Sequence, residues 1–276
     1  MADQPTVTLN SGARMPQLGF GVFQVPNDET TAAVSAAFEA GYRAIDTAAM
    51  YRNEEGVGKA IADSSIPRNE LFITTKVNNN GHGTEETLRG FEASRTSLGL
   101  DYVDLYLIHW PLPGKDRYVE TWQAFERLQR DGLARAIGVS NFQPAHLQRL
   151  FDETEVVPAL NQVELHPYLT QGALRAFDAE HGIATEAWSP IAQGGDLLSD
   201  STVTSLAEKY GKTPAQIVIR WHLQLGNVVI PKSVTPSRIA ENIDVFDFEL
   251  ADDDVMSISD LNRDERTGPD PDTFNP

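Results

Sequence analysis

The chain contains no cysteine, which excludes disulfides, thiolate metal sites and cysteine nucleophiles. It has no apolar run of membrane-spanning length, because Arg, Asp or Lys interrupts every hydrophobic stretch. The first residues, Met1-Ala-Asp-Gln-Pro, carry neither a basic segment nor an apolar one, so no secretory signal is expected. Basic residues are scarce: 22 Lys and Arg against 40 Asp and Glu leave a net charge of −18. Phosphate backbones need a basic face, so nucleic acid is not an expected partner. The acidity reads as a solvated surface, against which an anionic ligand needs a local basic pocket. These absences point to a cytoplasmic protein with neither membrane nor nucleic-acid partners.

What is present fits one architecture. At 276 residues and 41% hydrophobic content, the chain matches the size of a single α/β barrel. Residues 6–18 read as a hairpin, with Val7-Thr-Leu9 and Met15-Pro-Gln-Leu18 flanking an Asn10-Ser-Gly-Ala turn. Strand and helix signals then alternate. The strand-like runs are Gly19–Phe23, Ala44–Asp46, Leu71–Lys76, Leu105–His109, Ala134–Val139, Pro158–Val163, Ile183–Trp188 and Val228–Pro231. Between them, Asn27 or Asp28 is expected to cap a helix ending at Gly41, and Thr170 another ending at Gly182. Thr84 begins a helix carrying Leu88, Phe91, Arg95 and Leu98 and ending at Gly99. Thr235-Pro236 is expected to open the last regular helix, with Thr as its cap. Eight strand–helix repeats imply a closed (β/α)8 TIM barrel spanning residues 1–276 as one domain, with extra helices near the C-terminus and a loop at 262–276.

In such a barrel the site lies where the strands end. The last polar residues of the strands are Gly21, Asp46, Lys76, His109, Ser140 with Asn141, Gln162, Trp188 with Ser189, and Lys232 with Ser233. Asp46 and Lys76, on neighbouring strands, are expected to pair, which lowers the cost of burying each. Tyr51 follows in the loop after Asp46, and a nearby ammonium is expected to pull its pKa down, making it a proton donor to a developing alkoxide. His109 supplies an N–H to orient a carbonyl oxygen. The set suits carbonyl reduction by a cofactor hydride. Ser140, Asn141 and Gln162 match a carboxamide, and Trp188 offers a face for a nicotinamide ring. Lys232, Ser233, Arg238 and a helix N-terminus form an anion site in the loop after strand eight, which suits NADPH.

The motifs that carry this pattern are Gly41-Tyr-Arg-Ala-Ile-Asp-Thr-Ala48, Tyr51 with Asn53-Glu-Glu-Gly56, Ile73-Thr-Thr-Lys76, Leu107-Ile-His-Trp-Pro111, Ile137-Gly-Val-Ser-Asn141, Asn161-Gln-Val-Glu-Leu-His-Pro167 and Ile230-Pro-Lys-Ser233. On these the chain resembles the aldo-keto reductases along essentially its whole length. Trp188-Ser-Pro, Trp221-His-Leu-Gln and Asn242-Ile-Asp-Val-Phe-Asp-Phe248 look most like the bacterial 2,5-diketo-D-gluconate reductase branch. The resemblance implies a catalytic tetrad of Asp46, Tyr51, Lys76 and His109, with Tyr51 as general acid. It implies NADPH bound without a Rossmann domain. Gly21, Ser140, Asn141, Gln162, Trp188, Ser189, Lys232, Ser233 and Arg238 would line the cofactor, with Glu241 and Asn242 near the adenine. Phe23, Tyr51, Asn78, His109 and Trp110 would line the substrate pocket. Such enzymes are monomers that need no metal and act on small carbonyl compounds, here aldehydes, ketones, diketo acids or keto sugars. Asn78 stands where many relatives carry Trp, which implies a more open or more polar wall.

Other signals are discounted. Gly19-Phe-Gly21 lacks the third glycine of a dinucleotide fingerprint. Asp252-Asp-Asp254 lacks the spacing of a calcium loop and reads as an acidic cap or solvated turn. His82, His146, His166, His181 and His222 form no metal spacing. Two other functions compete: a lyase forming a Schiff base on Lys76, and a redox sensor that binds NADPH with little turnover.

Overall fold

The computed structural model describes residues 4–276. The hairpin forms as expected: β1 (Thr6–Thr8) pairs antiparallel with β2 (Arg14–Pro16), with Gly12 at φ 84° in the turn. Eight parallel strands follow, each bonded to the next in chain order. They are β3 (Phe20–Gly21), β4 (Ala44–Asp46), β5 (Phe72–Val77), β6 (Val103–Ile108), β7 (Ala134–Ser140), β8 (Leu160–Glu164), β9 (Ala184–Trp188) and β10 (Val228–Val229). The last strand returns to the first. Gly19 N donates to Val229 O at 2.8 Å, Val229 N to Gln17 O at 2.9 Å, and Gly21 N to Pro231 O at 3.2 Å. These bonds close the sheet into the expected (β/α)8 barrel.

Strand parity decides what faces the interior. Ala44, Phe72, Leu105, Leu107, Ala136, Leu160 and Val228 form one apolar cluster inside the barrel, plugged by Leu9 and Met15 of the hairpin. Their neighbours Ile45, Ile73, Tyr106, Ile108, Ile137 and Val163 belong to the outer cluster beneath the helices. Counting by twos from the inner set reaches Asp46 on β4, Lys76 on β5, Ser140 on β7, Gln162 on β8, and Glu186 and Trp188 on β9. His109, one residue past β6, keeps the same parity. From β4 to β9 the inward face thus passes from apolar at the strand starts to polar or aromatic at the strand ends.

The helices wrap this cylinder: α1 (Asn27–Ala40), α2 (Glu54–Asp63), α3 (Thr84–Leu98), α4 (Tyr118–Arg130), α5 (Pro144–Glu153), α6 (Gly172–Glu180), α7 (Ser201–Tyr210), α8 (Pro214–Gln224), α9 (Pro236–Ile243) and α10 (Asp252–Ser259). Several starts depart from expectation. Asn27 is the first residue of α1, and its Oδ1 accepts from Gly56 N at 3.0 Å instead of capping its own helix. Gln171, not Thr170, caps α6, and Thr170 N donates to Asn262 Oδ1 at 2.9 Å. Thr235 precedes α9 without a side-chain cap bond. On α3 the buried stripe is Thr87, Phe91, Ser94 and Leu98, so Ser94 takes the inner place assigned to Arg95. A further helix, α10, follows α9, with Asp252, Asp253 and Asp254 in its first turn, where negative charge meets the positive end of the helix dipole.

Close helix contact depends on Gly58. A Cβ there would lie 2.5 Å from Leu98 O, where α2 crosses the end of α3. Helix propensity alone favours Gly58→Ala by about 1 kcal/mol. The backbone clash reverses the sign, so we expect the variant to lose about 1–3 kcal/mol. Urea unfolding at neutral pH measures this; an unchanged or raised midpoint would show that the helices separate at no cost.

Candidate active site

Asp46, Tyr51, Lys76 and His109 come together at the C-terminal rim of the barrel. β4 and β5 lie side by side, with Asp46 paired in register with Thr74. Lys76 is fully buried, and its Nζ lies 2.6 Å from Asp46 Oδ1, 2.9 Å from Thr47 O and 3.4 Å from Tyr51 Oη. Tyr51 reaches the group from a one-turn helix, Ala49–Tyr51, directly after β4. Its ring stands edge-on to His109, with centroids 5.7 Å apart.

Electrostatics assigns protonation states. Burial pushes the Lys76 ammonium down, but Asp46, with Tyr51 and Glu186, offsets this and leaves its pKa above the ordinary lysine value. A Schiff-base lysine must shed its proton, so the observed direction argues against the lyase. Burial, then Lys76 and His82, holds His109 well below the usual range, so the imidazole is neutral. Tyr51 corrects an expectation. Lys76 does pull its pKa down, but desolvation is the larger effect and Asp46 adds to it, so the net shift is upward. The phenol is a held proton, and the lysine eases its departure.

The amide and aromatic residues form a second, connected group. Ser140 Oγ donates to Gln162 O at 2.9 Å. Asn141, in the left-handed region at φ 64°, donates from Nδ2 to His109 O and Ser140 Oγ, both at 3.0 Å. Its Oδ1 accepts from Trp188 Nε1 at 2.8 Å, which pins the half-buried indole. Gln162 Nε2 donates to Asp46 Oδ2 at 2.8 Å and so joins the two groups. Ser189, at φ 47°, turns the chain away after Trp188. Gly21 lets the first strand approach the last, since a Cβ there would meet Ile230 O at 3.0 Å.

Lys232, Ser233 and Arg238 sit on the loop after β10 and the first turn of α9. Lys232 and Arg238 are exposed, and among the described residues neither forms an ion pair. Glu241 Oε1 accepts from Thr213 Oγ1 at 2.8 Å, and Asn242 is buried. After β3, which neighbours β10, Phe23 is 51% exposed with its ring 5.1 Å from Tyr51. Asn78 lies half-buried one residue past β5. Trp110 packs on Phe274, with centroids 4.4 Å apart.

Three features of the rim go beyond the residues expected to line the site. Glu186 is fully buried on β9, in register with Gln162, and within 2.7 Å of its Nε2. Asn53 and Glu54 are buried behind Tyr51: Asn53 receives Thr47 Oγ1 at 2.8 Å, and Glu54 receives Thr75 Oγ1 at 2.6 Å. The C-terminal segment crosses the rim and docks on Glu164. Thr267 Oγ1 donates to Glu164 Oε1 at 2.6 Å, and Gly268 N to Glu164 Oε2 at 3.0 Å. Burial pushes the Glu164 carboxyl up, but hydrogen bonds from His166, Thr267 and Gly268 outweigh it and hold the pKa below the usual value. Gly268 lies so close to Trp188 that a Cβ would come 2.5 Å from Cη2. Period-two counting from Trp188 could have flagged Glu186; the partner of the tail, Glu164, is too distant in sequence to be named from it. Among the described residues, no three His, Asp or Glu side chains are arranged to hold a metal, and no helix is long and apolar enough to cross a membrane.

A closed (β/α)8 barrel with a buried Lys–Asp pair, a tyrosine and a neutral histidine at its strand ends defines a barrel enzyme. The chain belongs to the aldo/keto reductase family, whose profile matches residues 17–263. It is 57% identical over 271 residues to an aldo-keto reductase of Mycolicibacterium smegmatis, covering 98% of each chain. It is 56% identical over 275 residues to the methylglyoxal reductase DkgA of Escherichia coli, covering 99% of each. A Brucella melitensis aldo/keto reductase structure superposes with a TM-score of 0.92 at 56% identity, over 95% of this chain and 99% of that one. A variant of Gox0644 in complex with NADPH superposes with a TM-score of 0.94 at 49% identity, over 98% of both.

Removing the partner of Lys76 strands a buried ammonium. Asp46→Asn is therefore expected to cost about 3–5 kcal/mol of folding stability. Because the folded-state pKa of Lys76 is raised, the pair's contribution is complete below the ordinary lysine range and is lost only as pH climbs through the raised value. Denaturant titration at pH 7 checks the loss, and a change below about 1 kcal/mol would contradict it.

Proposed function

We propose that the chain reduces small aldehydes and ketones to alcohols with NADPH, with Tyr51 as the general acid. The observation that carries this is the buried Lys76 ammonium, held by Asp46 at 2.6 Å and lying 3.4 Å from the phenol oxygen. Because the Tyr51 pKa is raised, the phenol is protonated at neutral pH and has a proton to give. As the carbonyl oxygen gains charge, Tyr51 transfers that proton, and Lys76 stabilises the phenolate left behind. His109, kept neutral, donates one N–H to the same oxygen and fixes the face that reacts. Phe23, Trp110 and Asn78 form the walls around it.

The residues present fit the cofactor. When bound, NADPH supplies the hydride that becomes the carbinol hydrogen. Gln162 spends both amide hydrogens on carboxyl groups, so its oxygen is the atom left to receive a carboxamide N–H. Ser140 and Asn141 flank that position, and Trp188, fixed by Asn141, offers a stacking face. At α9, Thr235 provides no side-chain cap and Pro236 has no N–H, which leaves the amides of Ser237 and Arg238 for an anion. With Lys232, Ser233 and Arg238 beside them, this is the 2′-phosphate site, and Glu241 and Asn242 border the adenine. Gly21 and Ser189 give the backbone room on either side.

Relatives named methylglyoxal reductase support α-dicarbonyls as the first substrates to test, ahead of diketo acids and keto sugars. The enzyme is proposed to act as a cytoplasmic monomer. Tyr51→Phe should lower the reduction rate by roughly a hundredfold to ten-thousandfold while NADPH binding persists. A variant that keeps its rate in an NADPH absorbance assay with methylglyoxal would remove Tyr51 from the acid role. Arg238→Ala should weaken NADPH by about tenfold or more and leave NADH nearly unchanged, as fluorescence titration would read. Equal losses for both nucleotides would remove the 2′-phosphate assignment.

A further inference from the structure

Glu186 is a buried carboxyl that the proposed proton transfer does not use. It lies on the inward face of β9, level with Gln162 on β8, and is fully buried. Its Oε2 accepts from Gln162 Nε2 at 2.7 Å, and its Oε1 has no partner among the described residues. The other hydrogen of the same amide goes to Asp46 Oδ2 at 2.8 Å. Two carboxyl groups therefore share one neutral amide, and one of them already balances the charge of Lys76.

The remaining surroundings decide which carboxyl carries a proton. Asp46 faces Glu186 from β4, Lys76 from β5 and Tyr51 from the turn after β4. From β8 the facing group is the neutral Gln162 amide, and β10 presents apolar Val228 in register. Lys76 is committed to Asp46, so a second negative charge here has no cation of its own. Burial, with Asp46 beside it, pushes the Glu186 carboxyl up to about 8. The raised value favours the acid form of Glu186 at neutral pH, with Oε2 as the acceptor of the Gln162 hydrogen.

We infer that Glu186 is a positioning residue for the cofactor: as a neutral acid it locks the Gln162 amide with its hydrogens toward Asp46 and its oxygen toward the nicotinamide carboxamide. This rests on the NADPH reading above. Without Glu186, Gln162 keeps one anchor and can rotate, so its oxygen is presented only part of the time. With Glu186 ionised, a second carboxylate joins Asp46 behind the amide and adds negative charge facing Tyr51. The sign of the pH effect follows. Ionising Glu186 places a second, uncompensated negative charge in the site that must receive an anionic cofactor, so binding competence is complete below about 8 and falls as pH rises through it.

The test uses the full chain with Glu186→Gln, which mimics the neutral acid, and Glu186→Ala, which removes the anchor. NADPH dissociation constants are measured by fluorescence from pH 6.5 to 9.5. Wild-type affinity should fall roughly tenfold between pH 7 and 9, the factor for a single group of that pKa that must be protonated. The Gln variant should be flat over the same range, and the Ala variant should bind more weakly at every pH. In the ligand-free protein, infrared difference spectra should show a buried carboxylic-acid carbonyl band that titrates near pH 8 and is missing from the Gln variant. Matching pH profiles for wild type and the Gln variant, or no such band, would overturn the inference. Failure of wild type to bind NADPH at pH 6.5 would overturn it together with the reductase reading. Good binding with matching profiles would overturn this inference alone.

Discussion

The site depends on the contact between the Lys76 ammonium and the Asp46 carboxylate in a space closed to water. An isolated lysine there would lose its charge, and the phenol next to it would have no cation to lean on. Paired, it keeps the charge, and three consequences follow. The Tyr51 pKa is drawn down by the ammonium against a larger rise from desolvation. His109 is kept neutral, because burial and a nearby ammonium both oppose a second positive charge. Asp46 has one oxygen left over, and Gln162 occupies it, which links the acid–base group to the amide group. The barrel supplies the register: β4, β5 and β6 are neighbours, so residues far apart in sequence end at one rim.

The architecture was legible because its signals are periodic and repeated. Alternating strands and helices, with glycines such as Gly41 and Gly99 at helix ends, survive errors at any single boundary. The rim was legible for a related reason. Asp46, Lys76 and His109 are polar residues ending apolar runs, and a buried charge at such a place stands out in a list of letters. Glu186 is no less buried, yet it sits inside a run read as strand interior, and only its parity with Trp188 separates the inward face from the outward one.

What could not be read depends on partners distant in sequence. Asn27 has the composition of a helix cap, but Gly56 of the next helix claims its side chain. Thr170 falls one residue short: α6 starts at Gly172 with Gln171 in the cap position, and the Thr170 amide is tied to Asn262. The direction of the Tyr51 shift is the most instructive case. The identity of its neighbour was correctly expected, but the outcome is a contest between that neighbour and lost hydration, and the depth of burial is a property of the whole fold. Ranking two opposed effects needs the geometry; naming them does not.

The C-terminal segment meets the barrel through Glu164, Trp188 and Trp110, which belong to β8, β9 and the loop after β6. Among the described residues, no hydrogen bond joins it to Asp46, Tyr51, Lys76 or His109. The segment and the Lys76–Asp46 group are therefore held by separate sets of hydrogen bonds. A substitution in the segment thus reaches the buried pair through packing, not through a shared bond.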